Sequence, residues 1–249
     1  YGPAVAGCPR AGCGYHALVF RRGIGMGTYE GVFLDFYGTV AAGDAWAVED
    51  LCRRVIDDHG LSVTALELAG RWGDRYFEAI EHMNGHGFRL LGQIERDTLI
   101  ETLAAYGPVP DVTAYVEHLN AYLARPPLFE EVREVLARLE LPVCIVSNAD
   151  EYELRAAIAY HGLPLENVVT SESARCYKPD AGIFRHALKV TGWPADRVLH
   201  VGDSLHSDVG GAHTAGLKAA WVRRVGRIKD IGTDTPEHTW PDLWPLLTV

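Results

Sequence analysis

The chain has no long hydrophobic run, no cluster of basic residues and no lysine before Lys178. No apolar stretch approaches the roughly 18 residues that a membrane-spanning helix needs, so no helical span and no membrane partner is expected. With a formal net charge of −10 and no basic patch, the electrostatic footprint of a nucleic-acid binder is missing. That charge speaks mainly to solubility. The late first lysine excludes Schiff-base chemistry by a lysine anywhere before Lys178. Cysteine is sparse and odd in number: Cys8, Cys13, Cys52, Cys144 and Cys176. That excludes a small disulfide-stapled scaffold and points to a reducing cytoplasm. Cys144 sits in an apolar run and reads as a core filler. Cys8 and Cys13 have no second pair beside them, which argues against a metal site there. Internal repeats and low-complexity tracts are also missing.

What is present suits an ordinary globular protein. The 249 residues are 48% apolar and 22% charged, enough for one large domain or a domain with a smaller companion. Residues 1–28 are rich in Gly and Ala, lack periodicity, and read as a disordered N-terminal tail. They also lack the charged start and long apolar core of a signal peptide. Met26, just before the first apolar run, reads as a candidate translation start. The glycines around it precede a strand rather than follow one, so they do not form a dinucleotide-binding loop.

Five apolar runs read as strands: Val32–Tyr37, Pro142–Ser147, Asn167–Thr170, Arg197–Val201 and Lys218–Val222. Helical segments are expected at Phe129–Leu139, Glu151–Tyr160, Ala181–Thr191 and Ser207–Ala215. This alternation predicts an α/β fold, a Rossmann-like three-layer core with a parallel sheet between helices. One region breaks it. Residues 44–125 carry the helical patterns Trp46–Asp58, Leu66–Glu81 and Gly92–Tyr106 and no convincing strand. They are expected to form a helical cap on a core made of residues 29–43 and 126–249. The last stretch, Pro236–Leu247, reads as a short strand and a docking helix, with Trp240 and Trp244 as packing anchors.

Four short segments at predicted strand ends hold reactive side chains. They are Asp35 with Thr39, Ser147-Asn148, Lys178-Pro179, and Asp203 with Asp208. In an open parallel sheet such ends converge on one edge. Together they supply a nucleophile, hydroxyl and amide donors, a cation and further carboxylates. Phosphoryl transfer needs that set: a carboxylate to attack phosphorus, and positive charge to let it approach a phosphate dianion. Asp35 is the candidate nucleophile. Lys178 and a Mg²⁺ ion are the candidate sources of charge, and Thr39, Ser147 and Asn148 are candidate phosphate-binding groups.

In this order, the four segments resemble the four motifs of the haloacid dehalogenase superfamily of hydrolases, and the helical insert resembles that superfamily's cap. The resemblance implies Asp35 as nucleophile, Ser147 as phosphate ligand and Lys178 as charge stabiliser. It also implies Asp35, Asp203 and the backbone carbonyl of Tyr37 as Mg²⁺ ligands, with Asp208 behind them or paired with Lys178. The expected activity is a Mg²⁺-dependent phosphatase of a small organic phosphate, acting through an aspartyl phosphate. No oligomeric state can be read from the chain.

Tyr37 departs from the pattern, because the superfamily's phosphatases place their acid-base Asp there. A phenol with an ordinary pKa near ~10 is a poor base at neutral pH. Asp-x-Tyr-Gly-Thr resembles the 2-haloacid dehalogenases of the same superfamily, whose halide leaves unprotonated. That gives the alternative activity, and a weakly active phosphate-binding module is a third. Against dehalogenation stand Asp203 and Asp208, where that branch carries Ser and Asn, and Phe184, where it carries Tyr. Arg71 and Arg75 are the candidates for its cap arginine. The superfamily's phosphonate-cleaving branch uses a cap lysine, and the insert has none. His82 and His86 read as solvent-facing, and His206 as a surface histidine or a substitute acid or base.

Overall fold

A computed structural model describes residues 29–224, 232 and 234–249. The expected tail at 1–28, with Cys8, Cys13 and Met26, lies outside the described residues. β1 (Gly31–Leu34) leads into four helices, α1 (Asp44–His59), α2 (Ala65–His82), α3 (Leu91–Leu103) and α4 (Thr113–Leu123). Then follow α5 (Val132–Arg138), β2 (Val143–Ser147), α6 (Glu151–His161), β3 (Asn167–Thr170), the short α7 (Ser171–Ala174) and α8 (Ala181–Thr191). β4 (Val198–Gly202), a π-helical turn at Leu205–Gly210, α9 (Gly211–Thr214), β5 (Lys218–Val222) and β6 (His238–Trp240) complete the core.

The strands form one parallel sheet in the order β3-β2-β1-β4-β5-β6. β1 is apolar throughout because both its faces are covered. Val32 and Leu34 point into a cluster with Val132, Val135, Leu154 and Ile158 of α5 and α6. Phe33 points the other way, onto Ile183, Phe184 and Ala187 of α8. This period of two sets the three layers. The chain order reverses at β1, so the carboxyl ends of β2, β1 and β4 meet at a topological switch point, where such sheets bind ligands.

The helices of the insert have their own core. Leu51, Cys52 and Val55 of α1 meet Leu68 and Trp72 of α2, Leu99 and Leu103 of α3, and Leu119 of α4. A second cluster joins Ile80, Leu91 and Ile94 to Tyr177, which precedes Lys178 in the core. α2 starts on a capping box: Thr64 Oγ1 accepts from Glu67 N–H, and Glu67 accepts from Thr64 N–H at 3.1 Å.

Three expectations change. β1 ends at Leu34, so Asp35 to Tyr37 lie past the strand and in the loop at its edge. The helix expected over Ser207–Ala215 is a π-helical turn followed by one α-turn, because the chain there bends to deliver Asp208. The docking helix is a 3₁₀ segment, Trp244–Thr248, behind a Pro-containing first turn. Trp240 is buried as an anchor, whereas Trp244 is 38% exposed and lies under the Arg138 guanidinium. Among the described residues no helix is long and apolar enough to cross a membrane.

Gly31 opens β1 against the ring of Trp193, which stacks on Phe33. A Cβ there would come within 2.4 Å of the indole. Gly31→Ala is therefore expected to destabilise the fold by roughly 1–3 kcal/mol through overpacking. Urea unfolding measures it, and a loss under about 0.5 kcal/mol would mean the ring yields freely.

Candidate active site

Asp35 is fixed by the sheet before any side chain acts. Its N–H donates to Val201 O at 2.9 Å, which ties the residue after β1 to the end of β4. Its carboxylate, 4% exposed, then accepts three hydrogen bonds. Ser147 Oγ donates to Oδ1 at 3.0 Å, Lys178 Nζ to Oδ1 at 2.6 Å, and Thr39 Oγ1 to Oδ2 at 3.1 Å. Lys178 Nζ donates equally to Asp208 Oδ1, also at 2.6 Å. Asp208 further accepts from Ser204 N–H at 2.9 Å and lies 2.9 Å from His200 Nε2.

The sequence-predicted residues thus converge. Thr39 and Ser147 contact Asp35 directly in this state. Asn148 sits behind Lys178: its side-chain oxygen accepts from Lys178 N–H at 2.7 Å and its amide donates to Lys178 O at 3.0 Å. The amide expected to bind phosphate is therefore already engaged in bracing the lysine loop.

Two glycines make the geometry feasible. Gly38, at φ +87°, would put a Cβ within 2.9 Å of the Asp203 carboxylate, and only Gly takes that backbone easily. A Cβ on Gly202 would lie 2.1 Å from Asp208 Cγ, so the bare backbone lets the carboxylate fold back against it.

Burial raises the proton affinity of Asp35, and Lys178 only partly offsets it. Burial acts the same way on Asp208, but Lys178 and His200 outweigh it and hold Asp208 well below the usual range. Burial alone would lower Lys178; its two carboxylate partners raise it instead, so it stays charged. One oxygen each of Asp35, Asp203 and Asp208 lies within 4.8 Å of the others, and all three residues are buried. Octahedral Mg²⁺ holds oxygens about 3–4 Å apart, so small shifts would bring all three onto one ion. Carboxylate oxygens are the hard donors that Mg²⁺ prefers. The donor set fits Mg²⁺.

Other candidates fall away from this centre. Tyr37 turns its hydroxyl to Leu123 O in α4 at 2.9 Å, and burial drives its pKa upward. Phe184 is fully buried beneath the site, edge-on to His200. Arg71 lies over Tyr106 and Arg75 beside Glu101, both exposed. His206 pairs with Glu81 at 2.8 Å, both side chains being partly exposed. His82 and His86 are exposed.

Sequence reasoning missed His200, Asp150 and Glu95. A histidine inside the apolar β4 run was the signal for the first. Asp150 accepts from Leu91 N–H at 2.8 Å and Gly92 N–H at 3.0 Å, capping α3 from the core side. Glu95, one turn along α3, is 7% exposed. Burial, then Asp150 and Glu153, push its carboxyl up to about 8. Between 4.5, its ordinary value, and about 8, the folded chain keeps a proton that the unfolded chain has released. Stability therefore falls as pH rises through that window. Glu95→Gln removes the penalty, so the variant is expected to gain on the order of 1–3 kcal/mol over the parent at about pH 8 and little at about pH 5. Paired urea titrations measure this, and an equal difference at both pH values would contradict it.

Comparison with known proteins agrees with this architecture. Residues 29–216 match the family model described as haloacid dehalogenase-like hydrolase. The (S)-2-haloacid dehalogenase H-109 of Pseudomonas putida is 26% identical over 225 residues, covering 88% of this chain and 96% of its own. A phosphoserine phosphatase of Thermus thermophilus is 34% identical over 127 residues, 48% of this chain and 47% of its own. The solved structure of the L-2-haloacid dehalogenase from Xanthobacter autotrophicus superposes with a TM-score of 0.73 at 23% identity, covering 88% of this chain and 97% of that one. The chain is a member of the haloacid dehalogenase-like hydrolase family.

Proposed function

We propose that this hydrolase is a Mg²⁺-dependent phosphatase of a small organic phosphate, with Asp35 as nucleophile. The observation that carries the reading is the set of three buried carboxylates, Asp35, Asp203 and Asp208, with one oxygen of each within 4.8 Å of the others. A 2-haloacid substrate would bring another carboxylate beside that cluster.

Asp35, Asp203 and the backbone carbonyl of Tyr37 would hold the ion, with Asp208 behind them. When bound, Mg²⁺ neutralises the carboxylates and polarises the phosphoryl oxygens. An oxygen of Asp35 attacks phosphorus. The ester P–O bond breaks, and the electron pair leaves on the alcohol oxygen. Water then attacks phosphorus and frees Asp35 and inorganic phosphate. Lys178 holds Asp35 in place and remains charged throughout. Ser147 and Thr39, which now donate to Asp35, lie beside the oxygens of an incoming phosphoryl group. Tyr37 donates to Leu123 and does not act as the acid, so acyl and aryl leaving groups, which need no proton, react fastest. The helices at 44–125 would act as the cap that excludes water.

A second reading, 2-haloacid dehalogenase, is favoured by Tyr37 and by the named activities of the full-length relatives. There Asp35 would displace halide from carbon without any acid, and water would hydrolyse the resulting ester.

The two separate cleanly. The expected result is phosphate release from aryl and acyl phosphates with Mg²⁺, abolished by EDTA and reduced at least about 10³-fold in Asp35→Asn. Chloride release from 2-chloropropionate is expected to stay at background. Metal-independent chloride release that depends on Asp35 would replace the phosphatase reading with the dehalogenase one.

A further inference from the structure

The chemistry proposed for Asp35 leaves one buried cation unused. Arg224 lies two residues past β5, and the chain there is anchored: Arg223 N–H donates to Trp240 O at 2.7 Å and Arg224 N–H to Val222 O at 3.0 Å. Its side chain, 8% exposed, reaches the loop that carries Asp35. Nη2 donates to Thr39 O at 2.7 Å. Nη1 lies 2.7 Å from Glu131 Oε1, and the guanidinium carbon sits 3.7 Å from the centre of the Phe129 ring. Nε is buried and has no hydrogen-bond partner. Leaving that donor unmet costs free energy, which the other contacts must offset. Glu131 also accepts from Leu243 N–H at 3.1 Å. Burial would raise its carboxyl, but hydrogen bonds from its own N–H, Arg224 and Leu243 N–H hold it below its ordinary value, so the pair is one of full charges.

The backbone of the Asp35 loop leaves one carbonyl for that cation. Phe36 O accepts from the N–H groups of Thr39, Val40 and Ala41 at 3.3, 2.8 and 2.8 Å. Gly38 N–H donates to Ala41 O at 2.8 Å, and Val40 O accepts from Phe129 N–H at 3.2 Å. Thr39 is fully buried, and its carbonyl oxygen is satisfied by Arg224. The hydroxyl of the same residue donates to Asp35 Oδ2 at 3.1 Å. Thr39 thus joins the guanidinium on one side to the candidate nucleophile on the other. We propose that Arg224 is a positioning residue for Asp35, holding the Thr39 turn in the place that attack requires. The inference rests on Asp35 being the nucleophile, which the phosphatase and dehalogenase readings share.

Without the guanidinium, Thr39 O would be buried with no donor, and the turn would open or shift to find one. Either change moves Thr39 Oγ1 away from Asp35. A misplacement of about 1 Å at the reacting atoms can cost about 10²-fold in rate. Lysine does not replace this arginine, because one ammonium cannot span Thr39 O and Glu131 as the guanidinium fork does. Glu131 has a different part. It steadies Arg224 through Nη1, so a Gln there still accepts that bond and leaves Nη2 on Thr39 O.

The test compares Arg224→Met, Arg224→Lys and Glu131→Gln with the parent, each as the full chain with Mg²⁺ and an aryl phosphate. Arg224→Met is expected to lower kcat at least about tenfold with KM within about threefold, and Arg224→Lys to lower kcat at least about threefold. Glu131→Gln should keep kcat within about twofold, although urea unfolding should show lost stability in all three variants. Hydrogen exchange reads the loop without any turnover. The amides of Thr39, Val40 and Ala41 should exchange at least about tenfold faster in Arg224→Met than in the parent, beyond any rise in β3, and stay slow in Glu131→Gln. Unchanged loop exchange in Arg224→Met, or a kcat loss as large in Glu131→Gln, would overturn the proposal. Should Arg224→Met not fold, Arg224→Lys decides by the same two readouts. A parent that releases chloride from 2-chloropropionate and no phosphate ends the phosphatase reading alone, and the kcat comparison is then made on chloride. A parent silent on both substrates ends that reading too, and loop exchange decides the role of Arg224.

Discussion

The Lys178 ammonium, sealed between Asp35 and Asp208 at 2.6 Å from each, fixes the rest of the centre. Removing an ammonium from water costs several kcal/mol, which only close, well-placed carboxylates can offset. Here they come from two different strand ends, after β1 and after β4. The lysine loop must therefore sit over the middle of the sheet. Asn148, at the end of β2, holds that loop by two bonds to the Lys178 backbone. Ser147 beside it reaches Asp35 as well. Three neighbouring strand ends are thus locked to one charge. This is why the order β2-β1-β4 at the switch point matters more than the outer strands.

Asp203 adds a third carboxylate to the same small volume. Glu95 is a further buried acid, whose carboxyl burial raises first, with Asp150 and Glu153 adding to it. The helices of the insert are tied to the rest of the chain by specific contacts. Asp150 caps α3, Tyr177 donates through its hydroxyl to Arg89 O at 2.8 Å, and Asn84 accepts from Tyr177 N–H at 2.7 Å. The residues that contact Asp35 and those that hold the insert are therefore neighbours in sequence: Ser147 with Asp150, and Lys178 with Tyr177.

Much of this was legible because strands buried on both faces print as unbroken apolar runs. Each of the four reactive segments follows one of those runs directly or starts the helix after it. The β3 and β5 limits agree with the pattern residue for residue. What stayed hidden depends on relations that one-dimensional periodicity does not carry. Glu95 looks like an ordinary polar position on an amphipathic helix, and only the tertiary packing of α3 buries it. The turn at Leu205–Gly210 reads as helix because its polar spacing is helical, yet the chain there widens to return Asp208 to Lys178. The phenol of Tyr37 could be placed at the site but not aimed. Its partner, Leu123 O, lies 86 residues away. The fourth helix of the insert, α4, went unread because two tyrosines and a histidine blur its apolar stripe.

The central claim is that the buried carboxylates around Asp35 are built to hold a divalent cation. Its most direct test is equilibrium binding of Mg²⁺ to the full chain and to Asp203→Asn. The account predicts one ion per chain in the parent, and affinity weakened at least about tenfold in the variant. A parent chain that binds no Mg²⁺ at millimolar concentration, or a variant that binds it equally well, would contradict the account.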